Sequence, residues 1–468
     1  MNRLIMAWVL TCSAFFHSFA FAQPHTLTLK DVKFEPNTGT ITAYQADYQD
    51  IIIPKTLNGH PVKHIKERAF NGFDSTKLTS VIIPDSVTSI GKGAFYLNKL
   101  TDIVIPSSIT ELEELVFANN QLTSVTLPRF VVRIGMAAFM GNKLKTVTLP
   151  SSLRNIETAA FSDNELTHIT IPNSLTKIEG AVFADNALRN ITIPDSVVII
   201  DAEAFKNNQL TNVTIPNSVA TIEYAAFSNN KLQQVTLPNK LTTLEKKVFQ
   251  NNQLTSITLP DSVTQIKDSA LEGNRLTSFI IPDSVTEMGN GALYRNQLTS
   301  IIIPNSFTQI EPFLLAKNQL TSVTIPDGVT MIGSSAFADN KLQQVTLPNS
   351  LVTIDSSSFR GNELTNIIIP SSVTEIGSSS FEDNQLTSII IPDSVTEMGF
   401  FAFENNPDLP SFSLPVGQSI KRWKAYETTP SKPRKTWIKS YPAGAVIKPT
   451  EFGYSFTAQF DSKADTKS

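Results

Sequence analysis

The chain has 468 residues, 38 Lys and Arg against 42 Asp and Glu for a net charge of −4, and a single cysteine. One cysteine excludes a disulfide-stapled scaffold, so stability has to come from packing, and no nucleic-acid partner is expected of a net acidic chain. Its length would ordinarily suggest about three globular domains, a prior that gives way when a chain is built from one repeated unit.

Asn2 and Arg3 precede an apolar run from Leu4 to Phe16, and Ala20-Phe21-Ala22 offers small residues for cleavage. This is the pattern of an export signal over 1–22, with a mature chain from Gln23. Val9-Leu10-Thr11-Cys12 also fits a lipid-attachment box, although Thr11 is bulky for the position before the cysteine. No later apolar stretch reaches the roughly 18 residues a membrane helix needs. The protein is therefore expected to be secreted or held at the cell surface without a transmembrane segment.

Thr26 to Tyr44 reads as two short strands around Pro36-Asn37-Thr38-Gly39, so 23–50 is expected to be a hairpin cap. Ile51-Ile52-Ile53-Pro54 opens an irregular coil with extra residues around Asn58-Gly59-His60-Pro61. From Pro84 to Pro392 a proline then recurs every 22 residues, fifteen times without an insertion. The solenoid built from these units is expected over 51–407.

Each unit follows L-T-S-[VI]-[TI]-[IL]-P-[DN]-S-[VL]-T-x-I-x-x-x-A-F-x-x-N-x. The segment before the proline, for example Leu122-Thr123-Ser124-Val125-Thr126-Leu127, alternates as a strand with Leu122, Val125 and Leu127 inward. Proline cannot donate to a ladder and ends the pairing. About a dozen residues remain for the return, which leaves room for a short 3₁₀ or single helical turn on the far face. Phe95, Phe117, Phe139 and nine equivalents stand eleven residues after the proline and should stack behind the sheet, with Leu271, Leu293 and Leu315 in the other three units. Asn98, Asn120, Asn142 and their equivalents stand fourteen after it in every unit, where a side-chain amide can satisfy the backbone of its own turn and of its neighbour's.

These residues resemble the BspA-like, or treponemal-type, leucine-rich repeat, over roughly Ile51 to Asn406. The present units use Asn where many relatives use Cys. The resemblance implies a right-handed, horseshoe-like α/β solenoid with a parallel sheet on one face and short helical turns on the other. It also implies a surface protein associated with adhesion.

Positions five, four and two before each proline should face out, giving a nearly uncharged ribbon of Thr, Ser, Gln and Asn. The row two before the proline is the candidate binding surface: Thr126, Thr148, Thr170, Thr192, Thr214, Thr236 and Thr258, then Ile280, Ile302, Ile368 and Ile390, with Ile82 and Val104 as N-terminal counterparts. Exposed β-branched residues in a row suit a contact patch, and equally a ladder chosen for strand propensity. A sheet of this extent suits a protein, a glycan chain or a second copy of the chain.

The segment 408–468 departs from the repeat. From Gly417 onward it carries ten basic against four acidic residues and many aromatics, enough for a small β-rich module. Trp423, Trp437, Arg422 and Lys435 are candidate anchors to anionic envelope polymers, and a plain C-terminal cap is the alternative. The chain closes on a polar tail without a wall-sorting pattern. For chemistry there remain only His25, His60, His64 and His168 after the signal, with no nucleophile, phosphate-loop or zinc motif around them. No enzyme activity, cofactor or metal is therefore expected. The expected function is an adhesin-like binding protein for a protein or glycan. A self-assembling envelope component gripping the cell through its basic tail is the alternative.

Overall fold

The computed structural model describes residues 23–73, 77–417, 420–427, 436–447 and 454–460. The export signal expected over 1–22, with Cys12, lies outside the described residues, as does Lys435.

The repeat folds as a parallel β-solenoid of leucine-rich-repeat type. Its inward residues are those that the period singles out. In one coil Leu122, Val131, Ile134, Ala138 and Phe139 are fully buried and Val125 and Leu127 nearly so. One apolar core runs unbroken from Leu27 to Ala458. Behind the sheet the rings stack with centroids 5.3 Å apart for Phe70 and Phe95, 5.4 Å for Phe139 and Phe161, and 5.5 Å for Phe381 and Phe403. These are offset-stacking distances, and each buried ring contributes about 2 to 3 kcal/mol of apolar burial.

Two rows of short parallel strands run the length of the solenoid where one was expected. The first precedes the proline and is broken into segments: Ser124–Val125 pairs with Thr146–Val147, Asn212–Thr214 with Gln234–Thr236, and Ser322–Thr324 with Gln344–Thr346. Proline closes each run and removes a donor, leaving two or three residues to pair. The second row lies at Thr-x-Ile, five and six residues past the proline. There Glu111–Leu112, Arg133–Ile134 and Asn155–Ile156 join with every partner 22 residues away.

The expected 3₁₀ or helical turns on the far face are absent: no residue described is helical, and the fold is all-β where α/β was expected. In all fifteen coils the residues nine and thirteen after the proline take left-handed backbone, as Ala137 (φ 52°) with Gly141 (φ 68°), or Lys247 (φ 60°) with Asn251 (φ 54°). A left-handed residue every fourth position stops a helix before its second turn. The freed amides turn outward along the stack: Ala137 N donates to Thr158 O at 2.9 Å, Phe139 N to Ala160 O at 2.9 Å and Gly141 N to Ser162 O at 3.1 Å. Bonds to the next coil alternate with turn bonds within the coil, such as Ala138 N to Gly135 O and Met140 N to Ala137 O at 3.1 Å each.

Antiparallel strands close the Thr-x-Ile row at both ends. At the N-terminus Val32–Glu35 and Thr40–Tyr44 form a hairpin, and Thr40–Tyr44 runs parallel to His64–Ile65. At the C-terminus Tyr454–Phe460 pairs antiparallel with the last coil through Glu397↔Thr457 and Met398↔Phe456. Ile420–Glu427 and Thr436–Pro442 extend the same sheet beyond it.

Candidate binding face

Each member of the row two before the proline is exposed, from Thr126 through Thr258 to Ile390. The parallel register sets members side by side, Thr214↔Thr236 and Thr324↔Thr346 within strands, Val104↔Thr126 and Ile368↔Ile390 as single bridges. The apolar members stand well clear of the surface, with Ile280, Ile302, Ile368 and Ile390 at 84 to 86% exposure. Thr324 and Thr346 complete the row and divide its isoleucines into two pairs. Both are legible in the sequence, where the isoleucine run on either side masks them.

The asparagine row lies behind this face and holds it in register. Asn142 Oδ1 accepts from Leu122 N at 3.0 Å, while Nδ2 donates to the carbonyls of Phe117 and Phe139 at 3.0 Å each. The same three partners recur in every coil, from Asn98 and Asn120 to Asn406. The asparagine thus ties together the start of a strand and the backbone of two successive spine residues.

Charged groups gather on the Thr-x-Ile side. Arg133 Nε donates to Glu157 at 2.8 Å, and Nη1 lies 3.4 Å from both Glu111 and Glu113. The hydrogen bond to Glu157, and then the surrounding carboxylates, hold its guanidinium above the ordinary arginine value against the opposing effect of burial. Lys177 bridges Glu179 at 2.7 Å and Asp201 at 2.8 Å. Among the described residues Glu375 has no such partner: burial first, then Glu397 and Asp355, push its carboxyl up.

The histidines stand apart. His25 stacks on Tyr48 with centroids 3.6 Å apart and lies 3.1 Å from Asp31. His64 Nδ1 shares a hydrogen bond with Ser89 Oγ at 2.8 Å, while His60 and His168 are exposed. Among the described residues no three metal-ligating side chains come together, and no helix is long and apolar enough to cross a membrane.

Of the candidate anchors, Arg422 is exposed in the strand Ile420–Glu427. In the strand register Trp423 pairs with Tyr441 and Ala458, and Trp437 with Tyr426, so both positions belong to the sheet that continues the last coil. The sequence signalled a β-rich module there, but not its pairing onto Glu397–Met398.

The model of the BspA type leucine rich repeat region matches residues 63–189, 176–299 and 286–410. The chain belongs to this family. Solved structures similar to this BspA-type chain include a leucine rich cell surface protein from Faecalibacterium prausnitzii, 26% identical over 75% of this chain and 93% of that one, with a TM-score of 0.45. A leucine-rich repeat protein from Bacteroides ovatus is 22% identical over 82% of this chain and 87% of that one, TM-score 0.34. The pneumococcal vaccine antigen PcpA is 17% identical over 75% and 93%, TM-score 0.34. No curated protein matches this BspA-type chain significantly.

Proposed function

We propose that the chain is an exported, non-catalytic binding protein that presents the face before the prolines to a protein or glycan at or outside the cell surface. The observation that carries this reading is the face itself: positions five, four and two before the prolines, exposed in nearly every coil (Thr79, Ser80 and Thr211 are half-buried), repeated along the stack and nearly free of charge. Its extent far exceeds what a small molecule needs. The dispersal of the histidines supports a role without acid–base chemistry, and the pattern of residues 1–22 supports export.

Pairing of Tyr454–Phe460 onto the last coil supports a cap at 408–468 over an anchor. A sheet edge occupied in this way is also a poor start for end-to-end assembly. Adhesion is tested with the purified chain from Gln23 against matrix proteins, glycans and whole cells. Saturable binding is expected, weakened at least 10-fold by Ile280→Glu with Ile302→Glu or by Ile368→Glu with Ile390→Glu at unchanged melting temperature. A folded chain that binds nothing across such a panel leaves the proposal without support.

A further inference from the structure

Two places on the binding face are copies of each other. Asn230 to Asn239 and Asn340 to Asn349 are the same ten residues, N-K-L-Q-Q-V-T-L-P-N, placed 110 residues or five coils apart. Only there does a Gln-Gln pair replace the usual Thr-Ser five and four before the proline, as Gln233-Gln234 and Gln343-Gln344.

The backbone responds identically at both. Each Gln-bearing strand pairs with the coil before it, and neither continues a strand ladder into the coil after it. Leu237 and Leu347 are only half-buried, whereas the thirteen other residues immediately before a repeat proline are buried. A depression lies at each seam, of about 460 Å³ between Gln234–Leu237 and Ser256–Leu259, and about 640 Å³ between Gln343–Leu347 and Thr365–Ile368; a third, of about 630 Å³ between Asn190–Ile193 and Asn212–Ile215, has no glutamine and carries Asp195.

The chemistry of the two linings is also alike. Side-chain amides and hydroxyls make up the polar part of each: Gln234, Thr236, Asn239 and Thr258 in the first, Gln344, Thr346, Asn349 and Asn366 in the second. No lysine or arginine lines either, and the one carboxylate, Glu363, already accepts from Gln343 Nε2 at 3.1 Å. An anionic polymer would find no counter-charge here. Amides that donate and accept side by side, interleaved with hydroxyls, match the paired hydroxyl groups of an uncharged sugar. Neither lining contains an aromatic platform, so each depression alone would bind weakly.

We infer that the two depressions are equivalent subsites for one linear, uncharged polysaccharide, engaged together by a chain that lies across the five intervening coils. At about 4.8 Å per strand the subsites lie roughly 24 Å apart. A glycan that reaches both turns the second contact into an intramolecular one, and the gain in avidity is on the order of 100-fold or more. The inference names a ligand class for the proposed binding face and rests on that reading.

The test uses the chain from Gln23 with a soluble glucan, a mannan and a galactan, each as a long polymer and a short oligomer, and an uncharged extended peptide for comparison. One long glycan is expected to bind, and its oligomer to bind weakly at two sites per chain. Q233A with Q234A, or Q343A with Q344A, should each cost about 100-fold on the long polymer and leave one oligomer site, with melting temperature unchanged. The inference is overturned if no neutral glycan binds while the isoleucine variants still weaken a protein ligand, or if the peptide binds at the glutamines instead. A face silent to glycans and proteins alike overturns this inference and the proposed function together.

Discussion

Two ladders run side by side through the solenoid, and they tolerate change differently. The aromatic spine is interrupted at Leu271, Leu293 and Leu315, which stay fully or almost fully buried with no loss of coil geometry. The asparagine ladder is interrupted nowhere in fifteen coils. Burial of apolar surface is non-directional, so a leucine can stand in for a ring. The asparagine satisfies three backbone groups in fixed directions, and no apolar side chain can do that.

Asn230→Leu breaks the comparison hardest. It leaves Leu210 N without the acceptor now 3.0 Å away and takes one of two amide donors from each of the Phe205 and Phe227 carbonyls, which keep Asn208 Nδ2 at 3.2 Å and Asn252 Nδ2 at 3.0 Å. A loss of about 2 kcal/mol is expected in denaturant unfolding, mostly from the orphaned Leu210 amide, a buried unsatisfied group costing about 1 to 3 kcal/mol. Phe139→Leu, by contrast, should cost about 1 kcal/mol, as a near-conservative apolar exchange. Equal losses for the two would erase the distinction.

The exposed rungs should matter less still. Arg133→Ala removes three ion pairs on a partly exposed side chain and should cost at most about 1 kcal/mol, shrinking in high salt. Glu375→Gln should act in the opposite direction. Glu375 lies beside Glu397 in the register, and its carboxyl titrates above the ordinary range. The native state then holds that proton more tightly than the unfolded chain, so the charge is a cost above the raised value. The variant is expected to melt slightly higher at neutral pH. Its advantage should fade as pH falls through the raised value towards the ordinary carboxylate range, in melting curves recorded across that window.

Much of this was legible because the spacing of residue types is invariant. Leu122, Val125, Phe139 and Asn142 reveal their places by recurring at 22 residues. The left-handed position thirteen after the proline did give a signal, being Gly, Asn or Asp in twelve of fifteen coils, types that tolerate that backbone. The one nine after it did not: most there are Ala or Ser, as at Ala137 and Ser335, where glycine would have marked the backbone. Bonds to the neighbouring coil hold these residues in a conformation their own propensity disfavours, and that is why a helical turn was expected in their place. The second strand row was hidden for a related reason: Thr-x-Ile is too short to alternate visibly. The glutamine pairs are in plain view in the sequence, whereas the half-burial of Leu237 and Leu347 beside them is a property of the stack.

Separate antiparallel closures at the two termini have a further consequence. Since neither closure depends on how many coils stand between them, whole 22-residue units could be gained or lost in the interior without redesigning either end. Copy number then sets how far apart two features on the rod are held, and recombination between near-identical units becomes a way to adjust a molecular ruler.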